Sequence, residues 1–307
     1  MLPAQAPTAT EGAIFLLLPV GARAAALGEA TAASRTPSEA IWWNPAGVGA
    51  AVKREIAIHH SSSFVGTGDA VTIILPSSLL GVLGLEFNLI DYGDQDIVDN
   101  QNNPLGTLLP RSIVLGATYG TMIGAAASTG ISFKMVQLRV DCSGTCQAVP
   151  TFSGTSYAVD IGLQYDFARH FPLALGASVR NLGLPFQIND GPQSDPLPRR
   201  AQVGAEYRYV PPSTVADSVE LRVSVDVLSP VDKISPKPRI GGEVAWRQRA
   251  YARAGYVVAA RGSESGGPSI GFGYVSGAVS VDIARVLTGF SADAGQAPTF
   301  LTLRLRF

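Results

Sequence analysis

The chain has 307 residues, 24 acidic and 23 basic, and a net charge of -1, which excludes a nucleic-acid binder driven by bulk positive charge. Charged residues make up 15%, against about 25% in an average soluble domain, and 33 residues are glycine. Hydrophobic residues reach 46%, yet apolar runs such as Ala13 to Ala22 are short, so a bundle of membrane helices, each needing about 20 mostly apolar residues, is excluded too.

Residues 1–12 read as a signal-peptide remnant or a mature N-terminal tail. They lack a basic n-region and a long apolar core, while Ala4-Gln5-Ala6 has the small-x-small form of a cleavage site. A later h-region, Ala13 to Ala22, is an alternative, but Glu11 before it has the wrong charge. Residues 13–52 read as a plug or hatch packed inside something rather than as wall. Ala24, Ala25, Ala26, Gly28, Ala30, Ala32 and Ala33 permit close backbone approach, and Pro37 and Ser38 open a short helix. Asn44-Pro45-Ala46-Gly47 then forces a turn into the first strand.

Residues 53–307 alternate with period two almost throughout. Fourteen strands are predicted, over 54–62, 68–76, 79–90, 112–120, 125–139, 155–167, 173–181, 200–210, 219–229, 238–247, 250–259, 268–275, 278–286 and 299–307. The uncharged window Ser112 to Phe133 would score as a membrane helix, but its alternation and central Gly and Ser/Thr residues suit two strands and a tight turn. An even strand number is what a closed antiparallel barrel requires.

The two faces decide the kind of barrel. Tyr157, Val159, Ile161, Leu163, Tyr165 and Phe167 share one face, against Asp160, Gln164 and Asp166 on the other. Leu221, Val223, Val225 and Val227 oppose Glu220, Arg222, Ser224 and Asp226 in the same way. The polar face is thin and of mixed sign, as in a narrow lumen, while the apolar face ends repeatedly in Tyr, Phe or Trp like an interfacial girdle. The expected fold is therefore all-β, a fourteen-stranded antiparallel transmembrane β-barrel with an N-terminal plug segment. Its expected lumen charges are Glu206, Arg208, Glu220, Arg222, Asp226, Glu243 and Asp282, available to plug residues Arg23, Glu29, Arg35 and Glu39.

Connections alternate between long and short, which places both termini in the periplasm of a bacterial outer membrane and the long loops outside the cell. Cys142 and Cys146 fall in one long loop and are candidates for a local disulfide. No metal or cofactor is expected: the acidic loop Asp91 to Pro104 lacks a calcium-loop template, and two cysteines without a nearby second pair or histidine do not make a zinc site. Nor is an enzyme expected. His59, His60 and Ser61 are strand neighbours that alternate between faces, so His60 and Ser61 cannot form a dyad, and His170 lies in a predicted turn at the far end.

The stretch Phe15 to Gly49 carries Gly21-Ala22-Arg23-Ala24, Leu27-Gly28-Glu29-Ala30 and, behind Trp42-Trp43, Asn44-Pro45-Ala46-Gly47. In this order the elements resemble the opening of the PorV/PorQ family of outer-membrane proteins, within the wider FadL-like class of fourteen-stranded barrels. The resemblance implies a plug motif at Gly21, Arg23, Gly28, Glu29, Asn44, Pro45 and Gly47. The C-terminal Leu303, Leu305 and Phe307 resemble the signal read by the barrel-assembly machinery. A PorV-like role implies type IX secretion, with secreted cargo proteins and a surface-attachment enzyme as partners and an external rim at Phe64, Leu108, Phe186 and Phe290 as contact surface. A FadL-like transporter of hydrophobic small molecules is the alternative. An apolar cavity beside the plug would favour transport, and a polar, tightly filled lumen with an apolar rim would favour secretion. Outer-membrane lipid is an expected partner in either case, and nucleic acid in neither.

Overall fold

The computed structural model describes residues 11–144, 152–168, 171–189, 194–209, 211, 218–258, 266–287 and 297–307. Fourteen long strands form the wall: β1 (Glu55–Ser63), β2 (Gly66–Ser77), β3 (Gly81–Asp91), β4 (Pro104–Ile123), β5 (Ala127–Gly144), β6 (Phe152–Asp166), β7 (Leu173–Gly183), β8 (Arg200–Tyr209), β9 (Val219–Pro230), β10 (Lys237–Trp246), β11 (Ala250–Val257), β12 (Gly267–Ser276), β13 (Val279–Val286) and β14 (Thr299–Arg306). Every sequence neighbour is an antiparallel partner, and β1 pairs with β14 from Glu55↔Arg306 to Ser62↔Thr299, closing the barrel. Closure removes the unpaired edges that a sheet in lipid could not tolerate.

Alternation sorts the side chains with the apolar ones outward. Leu83, Leu85, Phe87, Ile131, Phe133, Tyr157, Ile161 and Leu163 are exposed on the outer face, while Glu86, Asn88, Ser132, Lys134, Asp160 and Gln164 are buried inside. This inversion of a soluble protein is stable only against lipid.

Two strands run longer than their apolar alternation. β4 and β5 were expected over 112–120 and 125–139, but they continue to a Gly106↔Gly144 pairing and carry the short strand Gln95–Val98 against β4. The overhang carries Pro104, Gly106 and Pro110 in β4 beside Arg139 and Asp141 in β5, which interrupt the apolar alternation, so alternation could not mark it. A bulge interrupts β6 and β7, where the register shifts between Val159 and Ile161. There Asn181 takes a positive φ of 61° and donates its backbone N–H to Asp160 Oδ1 at 2.7 Å.

Residues 11–54 run through the lumen. They form a 3-10 turn at Ile14–Leu17, helices α1 (Ala22–Ala26) and α2 (Pro37–Trp43), and a second 3-10 turn at Pro45–Ala50 whose cap is the Asn44 side chain, accepting from Ala46 N at 3.1 Å. Wall glycines make room for this backbone. A Cβ on Gly176 would meet the Ala32 carbonyl, one on Gly130 that of Pro45, and one on Gly255 the Gly28 nitrogen.

Both termini were expected at one rim. Phe307 does lie at the short-turn rim, paired with Arg54 through N–H···O contacts of 3.0 and 3.1 Å. Glu11, the first described residue, lies at the opposite rim beside Arg200 and the 184–199 loop. Residues 1–10 lie outside the described residues, and from Glu11 the described segment passes through the lumen to β1.

Candidate functional site

The lower lumen, toward the short turns, is filled by ionic groups. Arg23 on α1 reaches Glu243 at 3.0 Å, Ser34 at 2.8 Å and, more loosely, Glu206 at 3.8 Å. Glu243 also receives Arg253 and lies 3.5 Å from Arg222; Arg253 continues to Asp282 at 2.6 Å. Asp282 meets Arg304 at 3.2 Å, and Arg304 ends on Glu39 at 3.3 Å and Glu55 at 3.4 Å. Signs alternate along this chain, so each buried charge is compensated by neighbours, the condition under which ions persist away from water.

Glu39 does more than pair. Its two carboxylate oxygens accept the backbone N–H groups of Arg23 at 3.2 Å and Ala24 at 2.9 Å, closing the open end of α1. Asp226 holds the Ala32 N–H at 2.7 Å and Gln202 at 2.7 Å. Asn44 donates to the Ala32 carbonyl at 2.6 Å, and Arg35 meets Asp166 at 3.0 Å. Glu29 pairs with Arg239 at 2.7 Å, so all four plug charges have partners on the wall.

The expected lumen residues thus lie together, with Arg208 and Arg222 both on Glu220 nearer the short-turn rim, at 3.3 and 2.6 Å. Glu55, Arg253 and Arg304, which complete the network, are not among the expected lumen charges. Their signal lay in the inward register, where Glu243 faces Arg253 across β10 and β11 and Arg222 across β9. Plug positions Gly28 and Pro45 press on the wall, where a Cβ on Gly28 would meet the Tyr256 nitrogen and one on Gly130 the Pro45 carbonyl, while Gly21 and Gly47 let the plug fold on itself, against the Glu39 side chain and the Ser34 carbonyl.

Above the plug, toward the long loops, the lumen opens. The strap Leu18 to Val20 borders two cavities. One, of about 320 Å³, is mainly apolar, bounded by Leu18, Ile90, Val257, Val286 and Phe300, with His59 and Asn88 among its polar groups. The other, of about 280 Å³, lies against Phe15, Trp42, Trp43 and several cationic side chains. The strap is fastened at its outer end by Glu11, whose two oxygens accept from Arg200 at 2.7 Å each. That hydrogen bonding holds the Glu11 carboxyl below its ordinary range, against the upward push of its partial burial.

Expected rim residues divide. Phe64 is exposed and lines the apolar cavity, and Leu108 is partly buried. Phe186 is a correction: it is 4% exposed, packed in a cluster with Ala13, Phe15, Val136 and Leu197, because the threaded strap gives it an apolar partner inside. Phe290, Cys146 and His170 lie outside the described residues; Cys142 is disulfide-bonded. Leu303, Leu305 and Phe307 are exposed on the outer face. His59 points inward to Thr302 at 3.0 Å, whereas His60 points outward to Asp69 at 2.7 Å. Among the described residues no group of three metal-ligating side chains forms. In the acidic loop Asp99 is saturated instead by Asn103 and the Gln101 N–H.

Closure, strand number, threaded plug and apolar exterior define a fourteen-stranded antiparallel transmembrane β-barrel. No family model matches the chain, and no curated protein matches its sequence. Solved structures do. The CymD monoaromatic hydrocarbon channel is 12% identical, with 97% of this chain and 99% of that one covered at a TM-score of 0.60. The Ralstonia pickettii toluene transporter TbuX is 13% identical over 95% and 100%, at 0.57, and a Pseudomonas aeruginosa FadL homologue 10% identical over 94% and 98%, at 0.52. At such identities the likeness is one of fold.

Proposed function

We propose that this barrel sits in the bacterial outer membrane, with the Phe307 rim toward the periplasm, and admits hydrophobic small molecules. The observation that carries this reading is the apolar cavity of about 320 Å³ beside the plug and above a lower lumen filled by ion pairs. Apolar walls desolvate a neutral solute without cost to its polar groups, whereas the ionic layer below repels it until the plug shifts. The solved structures named as hydrocarbon and toluene channels support the same reading.

The test is accumulation of toluene by cells with and without the gene, together with Ala70→Phe, which fills the cavity from a buried lining position. Loss of uptake in both is expected. Equal accumulation in all strains would refute transport. The secretion-associated role implied by the PorV/PorQ resemblance stands second, favoured by the tightly filled lower lumen. Its mark would be secreted proteins or surface-attachment components crosslinked to the barrel in its native membrane.

A further inference from the structure

The first cavity is apolar but not uniformly so. Its deeply buried polar side chains are those of His59, Asn88 and Ser269, and two of the three are engaged within the protein. His59 uses both ring nitrogens, on Thr302 at 3.0 Å and Thr72 at 3.5 Å, and Ser269 donates to the Ala26 carbonyl at 3.0 Å. Asn88 is different. It is only 6% exposed, and among the described residues its side-chain amide has no hydrogen-bond partner. Its oxygen and nitrogen nonetheless keep accessible surface, where the residue borders the cavity.

The strand register explains the vacancy of this amide. Asn88 faces inward from β3 between Ala70 on β2 and Val114 on β4, neither of which offers a donor or an acceptor. The preceding inward side chain, Glu86, makes no bond to it. Buried polar groups in proteins are almost always paired, and an unpaired one left against an apolar body is costly. An open amide on an otherwise apolar wall is therefore suited to a polar substituent on the solute itself.

We propose that Asn88 selects, within the apolar cavity, neutral solutes that carry a single hydroxyl on a compact apolar body, the class of the alkylphenols. The proposal rests on the reading of this cavity as a solute passage and narrows its solute class. An amide both donates and accepts, as a hydroxyl does, so the match holds whichever way the amide is turned. An ether only accepts and a hydrocarbon does neither. The Glu29 carboxylate borders the same cavity and disfavours an anionic solute.

The full-length barrel is tested by equilibrium dialysis with detergent in both compartments, so that partition into micelles cancels. The probes are para-cresol and its isomer anisole, which have the same atoms but differ in the hydroxyl donor. Para-cresol is expected to bind at least about fivefold more tightly, the value of one net hydrogen bond. Asn88→Leu is expected to remove that preference and to raise affinity for toluene. Equal or reversed affinities in the unaltered protein would overturn the proposal, and so would an undiminished preference in the folded variant. The first comparison needs no variant and survives any failure to fold. Toluene binding without a para-cresol preference sinks only the role of Asn88. A para-cresol preference that depends on Asn88, with neither solute accumulated by cells carrying the gene, sinks only the channel.

Discussion

Glu39 is the residue on which the lower plug turns, and replacing it with alanine removes three acceptor contacts at once. The carboxylate is 2% exposed and takes the Arg23 N–H, the Ala24 N–H and the Arg304 guanidinium at 3.2, 2.9 and 3.3 Å. Each orphaned buried donor costs about 1–3 kcal/mol, but the three share one partner and do not add. Truncating one member of a buried ion pair costs about 3–5 kcal/mol in total, which is the figure to use. Other anchors remain, among them Arg23 to Glu243, Ala22 N to Thr302 at 2.9 Å, and Asn44 to Ala32, so the plug stays in the lumen and α1 opens locally. At about 1.4 kcal/mol per decade the open population rises roughly a hundredfold to a few thousandfold. Hydrogen exchange at the α1 amides in the detergent-solubilised barrel reads this directly. Glu39→Gln, which keeps an acceptor but loses the charge, falls between. Exchange in Glu39→Ala within tenfold of the unaltered protein would show that α1 is held by its alanine packing and that the ionic layer does not fasten the plug.

Three further outcomes follow from the same geometry. Gly176→Val drives a side chain into the Ala32 carbonyl and should cost about 1–3 kcal/mol, seen as a lower melting temperature of the folded band on gels; Gly242→Ala, whose Cβ first meets Ala254 O at 4.0 Å, should leave melting unchanged. Because Arg200 holds the Glu11 carboxyl below its ordinary range, the folded strap binds its proton less readily than the unfolded chain. Its contribution is therefore complete above the usual carboxylate value and is lost as pH falls through the lowered one; exchange protection of residues 12–18 should be flat from neutral pH down to the ordinary glutamate value of 4.5, fall only below it, and lose this dependence in Glu11→Gln. Phe307→Ala should slow appearance of the folded barrel in cells yet leave the mature barrel's melting intact, because the Arg54 pairing that seals the seam uses only backbone atoms; an unchanged assembly rate would remove Phe307 from the signal.

The wall was legible because lipid imposes a rule that alternation records: one side chain in two must be apolar over each spanning stretch. Leu83, Phe133, Ile161 and Leu303 obey it, and the expected strands and loop pattern followed. Inward charges such as Glu243, Arg222 and Asp282 were visible as the other register. What alternation could not convey is which of them meet. Arg304 reaches Glu39 across 265 positions and Arg23 reaches Glu243 across 220, partnerships created by curling the sheet around the plug.

The sparse charge and period-two pattern alone determined that this chain makes an apolar-skinned barrel with a polar bore, since no other arrangement hides that many alternating aliphatic side chains without membrane helices. Only the tertiary structure decided how the bore is filled. The plug threads from one rim to the other, turns Phe186 inward, neutralises the lower lumen and leaves two unlike cavities above it, because those outcomes depend on distances between strands and plug that local pattern does not encode.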